Sequence, residues 1–128
     1  MREAISVPGT MPDRPFSAGL RDGSLLAISG QVSVDEQWRT VGVGDFEAQA
    51  RRTFENIGRV LAGAGVDFSA VAELTYYLTD LDDFPALDRV RREYLIGPPY
   101  PASTAVEVPR LLDRDWQLEV SAIAVLPG

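Results

Sequence analysis

The stretch from Pro98 to Val125 does most to limit what this chain can fold into. Pro98, Pro99 and Pro101 end any helix that reaches them, because proline lacks the amide donor and pushes its predecessor toward extended geometry. Beyond that stop, Thr104, Val106 and Val108 alternate with Ser103, Ala105 and Glu107, the period of a half-buried strand. A turn at Leu112-Asp113-Arg114-Asp115 leads to a longer strand, Trp116 to Leu126. One face of that strand carries Leu118, Val120, Ala122 and Ala124, and the other carries Gln117, Glu119, Ser121 and Ile123. Glu119 therefore stands in the middle of a strand otherwise rich in apolar residues. Such a residue is usually solvated on the open face of a sheet. The other reading is a partly buried carboxylate held rigidly for proton transfer.

Upstream, residues 1–13 read as loop, with Pro8-Gly9 and Pro12-Asp13 as turn signals. Phe16 to Leu20 opens a strand, Arg21-Asp22-Gly23 suits a hairpin turn, and Ser24 to Ser29 reads as a buried strand ending in Gly30-Gln31. A glycine directly after an apolar strand marks a bulge, a bend or a close backbone approach. Val32 to Val43 is polar and turn-rich, a short hairpin carrying Trp38.

Asp45 is an N-cap, and Phe46, Ala50, Phe54, Ile57, Leu61 and Ala64 follow at helical spacing until Gly63 and Gly65 close the helix. A strand over Val71 to Leu78 comes next. Asp80, Asp82 and Asp83 crowd the start of a second helix, where negative charge suits the dipole and capping outweighs metal binding. Pro85 lies in its first turn, and Phe84, Leu87, Val90, Arg91 and Tyr94 form one face before Gly97-Pro98-Pro99. Arg89, Arg91 and Arg92 read as a solvated basic face paired with neighbouring acids.

The order is thus strand, strand, helix, strand, helix, strand, strand, an α+β arrangement. At 128 residues the chain suits one domain over 1–128. Two helices cover one face of a four- to six-stranded sheet, so the other face meets solvent or a second copy. The apolar strands Leu25–Ile28 and Leu118–Ala124 favour a homo-oligomer.

Composition narrows the chemistry. The chain has neither cysteine nor histidine, which removes disulfides, thiolates, the common zinc sites and Ser-His or Cys-His nucleophile pairs. An acid or base acting near neutrality must then be a shifted carboxylate, a desolvated amine, a backbone group or a bound water. Twelve basic and 19 acidic residues give a net charge of −7, which opposes binding to nucleic-acid phosphates. No apolar run suggests a membrane span and no leader pattern is evident, so the expectation is a cytoplasmic protein.

Short motifs follow one another in order along the chain: Ser29-Gly30-Gln31, Gln49-Ala50 with Asn56-Ile57, and Tyr77-Leu78-Thr79-Asp80-Leu81-Asp82-Asp83-Phe84. Pro101-Ala102 with Val106-Glu107-Val108, Leu118-Glu119-Val120 and Ala122-Ile123-Ala124 complete the set, from about Arg14 to Val125. This ordered set resembles the RidA/YjgF family. The resemblance implies a chorismate-mutase-like fold, a mixed β-sheet with two α-helices packed on one face. It further implies a homotrimer with a central barrel and small-molecule ligands in three intersubunit clefts. Members such as RidA hydrolyse enamines and imines to ammonia and a keto acid without a cofactor.

Carried over position by position, the resemblance makes Glu119 the catalytic group that orients or activates the attacking water. It makes Phe16, Ser29, Gly30, Asp88, Ser103 and Ala105 ligand-binding positions. Three departures stand out. Active deaminases of the family have an arginine after the Pro-Ala step, where this chain has Ser103, and a serine hydroxyl cannot give the bidentate grip of a guanidinium. Phe16, after Arg14-Pro15, replaces a tyrosine, and Asp88 stands where asparagine is common. The resemblance then supports a hydrolytic enamine or imine deaminase for a substrate other than the usual 2-imino acids, or one anchored through another arginine such as Arg14. The alternative is a non-catalytic ligand-binding or regulatory trimer. Ribonuclease activity, sometimes attached to the family by name, fits poorly with the charge and the missing histidine.

Overall fold

The computed structural model describes residues 2–9 and 13–127, so the turn expected at Pro12 lies outside the described residues. Its strands are β1 (Arg2–Ile5), β2 (Gly19–Asp22), β3 (Leu25–Gln31), β4 (Val71–Leu78), β5 (Ala102–Glu107) and β6 (Leu118–Val125). The two α-helices are α1 (Phe46–Gly63) and α2 (Phe84–Arg91). They form one sheet in the order β1-β2-β3-β6-β4-β5, antiparallel throughout except for the β4–β5 pair. That one parallel pair needs a crossover, and α2 supplies it. β6, the last strand in the chain, lies between β3 and β4.

Local signals account for much of this. The Asp45 carboxylate accepts from the Ala48 amide at 3.1 Å, and α1 then buries Phe46, Ala50, Phe54, Ile57, Val60 and Leu61 against the sheet. On β6, Leu118, Val120, Ala122 and Ala124 face the helices and meet Leu26, Ile28, Leu74, Tyr76 and Leu78 in one core cluster. Gly23, at φ +62°, turns the β2–β3 hairpin in a conformation that favours glycine. The Asp80 carboxylate accepts from the Asp82 amide at 2.9 Å and caps the short 3₁₀ turn ahead of α2, whereas Asp83 makes no side-chain cap.

Four expectations change. The strand expected over Phe16 to Leu20 is instead Gly19–Asp22, since Ser17 and Ala18 spend their carbonyls on the Ser29 hydroxyl and amide. Residues 2–5 are not loop: β1 pairs with the free edge of β2 and brings Ile5 into the core. A four-residue run with one buried apolar side chain has too little periodicity to show by itself. The second helix ends at Arg91, well before the prolines; Tyr94 follows in a turn but still stacks on Phe54, with ring centroids 5.1 Å apart. The alternation in β5 is present but its apolar side is not buried within the chain. Val106 pairs with Tyr77 on the face away from the helices, while Ser103 and Ala105 pair with Leu74 and Tyr76 on the helix side. Being an edge strand, β5 has only one neighbour to cover it.

The open face bears Leu25, Val106, Ile123 and Val125, all exposed. No helix among the described residues is long and apolar enough to cross a membrane.

Candidate functional site

One cavity is built where β3 loses register. Ile28 pairs with Ala122 and Gln31 with Val120, so Ser29 and Gly30 together oppose Ser121 and bulge out of the ladder. The Ser29 hydroxyl donates to the Ser17 carbonyl at 2.5 Å and its amide donates to the Ala18 carbonyl at 2.9 Å, which ties the segment bearing Phe16 to the bulge. Gly30 lies against Glu119: a Cβ built there would come within 2.8 Å of the Glu119 Cδ. A side chain at this position would push the Glu119 carboxyl aside, so the glycine keeps room for that carboxyl and is not there for its backbone angles.

Buried amides brace the surroundings. Asn56 of α1 donates to the Val32 and Val34 carbonyls at 2.9 and 3.0 Å, holding the loop after β3 against the helix. Gln49 donates to the Asp115 carbonyl at 2.8 Å and accepts from the Gln117 amide at 2.9 Å, which fixes the entry to β6 two residues before Glu119. The cavity measures about 290 Å³, and Phe16, Ser29, Gly30, Trp38, Trp116 and Glu119 are among its lining residues. The indole of Trp116 is held by the Thr40 hydroxyl at 3.1 Å.

Glu119 is half-buried here, and no donor among the described residues bonds its carboxylate. Burial pushes its carboxyl pKa up from the usual value, since nothing offsets the loss of water around the charge. An acid so placed exchanges a proton closer to neutrality than a solvated glutamate does.

A second cavity, of about 240 Å³, opens between α2 and the β5 edge on the helix side of the sheet. Asp88, Arg91, Tyr76, Tyr100 and Ser103 line it. Arg91 Nη2 lies 2.7 Å from Asp88 Oδ1, and Nη1 donates to the Ser103 hydroxyl at 3.1 Å. Its guanidinium also lies over the Tyr76 and Phe84 rings, 5.4 and 5.2 Å from their centroids.

Phe16, Ser29, Gly30 and Glu119 thus share the first cavity, while Asp88 and Ser103 share the second. Arg14 and Ala105 line neither, and the two cavities have no lining residue in common. The expectation of a solvated arginine face fails at Arg91, whose side chain is 20% exposed, against 66% for Arg89 and 69% for Arg92. Its signal was present in the sequence: Arg91 falls among the apolar positions of α2, three residues after Asp88. Trp38 and Trp116 carried no comparable pattern. Among the described residues no group of three acidic side chains is arranged to hold a metal.

The family model described as Endoribonuclease L-PSP matches residues 9–126. The chain belongs to this family, the RidA/YjgF family. A RutC family protein of Pyrococcus horikoshii is 38% identical over 125 residues, covering 97% of this chain and 98% of the relative. Escherichia coli TdcF, which bears the name of a reactive intermediate deaminase, is 33% identical over 96% of this chain and 94% of its own. The crystal structure of TdcF with bound serine superimposes with a TM-score of 0.85 at 31% identity, covering 98% of this chain and 99% of TdcF. RidA from an Antarctic Psychrobacter gives a TM-score of 0.87 at 29% identity, with 97% of this chain and 99% of that one covered.

Proposed function

We propose that this protein is a cofactor-free hydrolase of reactive enamines or imines, with Glu119 as its proton-transfer group. The observation that carries the reading is the Glu119 carboxyl: half-buried, without a hydrogen-bond donor among the described residues, raised in pKa by that burial, and pressed against the Gly30 bulge. In the reaction, water adds to the carbon of the C=N bond while the Glu119 carboxylate accepts a proton from that water. Glu119 returns that proton to the nitrogen, giving a carbinolamine; as its hydroxyl loses the second proton to the nitrogen, the C–N bond breaks, leaving a carbonyl and ammonia. The name of TdcF and the serine bound to it support a small polar ligand for the family site. The ribonuclease in the family's description draws no support from a chain of net charge −7 without histidine.

The working unit we propose is a homotrimer closed through the open sheet face, where Leu25, Val106, Ile123 and Val125 are exposed. An intersubunit cleft would then set the Glu119 cavity of one copy beside the Ser103 cavity of another. Ile123→Glu should split the assembly, because like charges would be brought together at the closed face. Sedimentation of a stable monomer by the unsubstituted protein at micromolar concentration would remove the trimer.

Ammonia release and ligand affinity, measured together for wild type and Glu119→Gln, test the hydrolase. Turnover lost with affinity kept supports it. Turnover that survives the substitution removes Glu119 from the chemistry. Binding without turnover in the wild type favours the ligand-binding trimer, a reading supported by Phe16 and Ser103 at positions where the family's deaminases have tyrosine and arginine.

A further inference from the structure

Strand β5 lacks the guanidinium that its family position would carry, yet a guanidinium reaches the same hydroxyl from α2. We propose that Arg91 is an anion anchor, holding a small carboxylate against the Ser103 hydroxyl and the Tyr76 phenol. The proposal rests on the hydrolase reading only in taking that carboxylate to be part of the substrate.

A simple ion pair does not account for the arrangement. Arg91 presents Nε and Nη2 to one oxygen of Asp88, at 2.8 and 2.7 Å, which occupies one edge of the guanidinium. Nη1 points elsewhere, donating to Ser103 Oγ at 3.1 Å. Nη1 carries two hydrogens, so one remains uncommitted. Ser103 accepts that bond and keeps its own proton to give. The Tyr76 side chain is fully buried and lines the same cavity, and its hydroxyl makes no hydrogen bond of 3.5 Å or less to a described residue. Its oxygen lies under the pull of the Arg91 guanidinium, so what the phenol lacks is an acceptor for its own proton. Burial raises the Tyr76 pKa, against the pull of Arg91, which keeps the phenol protonated and able to donate.

Three donors from three elements thus line one cavity: α2, the edge strand β5 and the interior strand β4. Among the described residues the one acid lining it is Asp88, already committed to Arg91 and Arg92. The charges lining it, Arg91 and Arg92 against Asp88, sum to +1 in a chain of net charge −7. Asp88 and the Tyr76 and Phe84 rings hold the guanidinium in place before any ligand arrives, so little freedom is lost on binding. Leu74 and Leu95 make the apolar part of the wall, and about 240 Å³ accommodates only a small acid.

Calorimetry with 2-oxobutyrate and its uncharged amide tests this on the full chain. The wild type should bind the acid at least about tenfold more tightly than the amide. Arg91→Met should weaken the acid by about tenfold or more and leave the amide unchanged, with Arg91→Lys in between because an ammonium lacks the fork. Tyr76→Phe, which keeps the ring and its packing, should weaken only the acid, by about three- to tenfold. Thermal unfolding of each variant checks that the fold is kept. An acid no better bound than the amide, no binding of the acid up to about 10 mM, or an Arg91→Met protein as tight as wild type would each overturn the anchor. The two readings fail separately. If Arg91→Met loses the acid while Glu119→Gln keeps full turnover, the anchor stands and the hydrolase assignment falls. The reverse pattern removes the anchor alone.

Discussion

Glu119 and Arg91 belong to opposite faces of one sheet and are treated in opposite ways. Glu119 projects from the open face beside a bulge, and no donor among the described residues bonds it. Arg91 reaches the helix-side edge, where Asp88, Ser103 and two aromatic rings all engage it. A carboxylate deprived of donors is costly in its charged form, so its proton is easily exchanged. A guanidinium surrounded by acceptors and rings stays a fixed cation at any working pH. One cavity is therefore suited to moving a proton and the other to holding a charge.

The largest expected effect comes from making the first cavity inert. Glu119→Gln keeps the shape of the side chain but cannot accept a proton, so ammonia release should fall by about a hundred- to ten-thousandfold while affinity for 2-oxobutyrate holds. Over the same measurements the wild-type rate should rise with pH as the carboxyl ionises. The inflection should lie above the ordinary glutamate value of about 4.3, because the charged form is disfavoured by burial. An inflection at or below that value would make Glu119 an ordinary solvated acid.

Next in size is a swap within the second cavity. Ser103→Arg in the wild type sets a second guanidinium beside Arg91, so carboxylate affinity should gain little. In the Arg91→Met background the same substitution should recover about tenfold. Equal gains in both backgrounds would show that Arg91 does not occupy the anchor position. Gly30→Ala should then lower turnover by about tenfold with little change in unfolding temperature. The added Cβ meets the movable end of Glu119 and displaces the carboxyl without touching the core. A structural role for Gly30 would instead appear as a loss of stability with turnover kept.

The smallest effect is on stability. A carboxyl whose folded pKa is raised binds its proton more tightly folded than unfolded. Its contribution is thus fully present below the unfolded pKa and is lost as pH rises through the folded one. Relative to wild type, Glu119→Gln should therefore gain thermal stability on going from pH 3 to pH 7. A gain in the other direction would mean that the carboxylate is stabilised by a contact absent from the single chain.

Periodicity and capping made α1, β4, the β2–β3 hairpin and the buried face of β6 legible in the sequence, because those depend on residues within one or two turns of each other. The family motifs were equally readable, including Gly30 in the bulge of β3. The helix-side course of Arg91 was only half legible: its spacing from Asp88 was visible, but not that Ser103 lay at its end. β1 left almost no trace, since it exists by virtue of the edge that β2 offers.

By itself the sequence determined the segments, their faces and the family, because hydrophobic spacing, caps and proline stops act locally along the chain. Tertiary structure alone decided that Gly30 meets Glu119, that no donor among the described residues bonds Glu119, and that Arg91 reaches Ser103 on β5. Those facts follow from β6 lying between β3 and β4 and from α2 carrying the chain across to β5. Such strand neighbours are chosen by burial summed over the whole sheet, and no short stretch of residues encodes that sum.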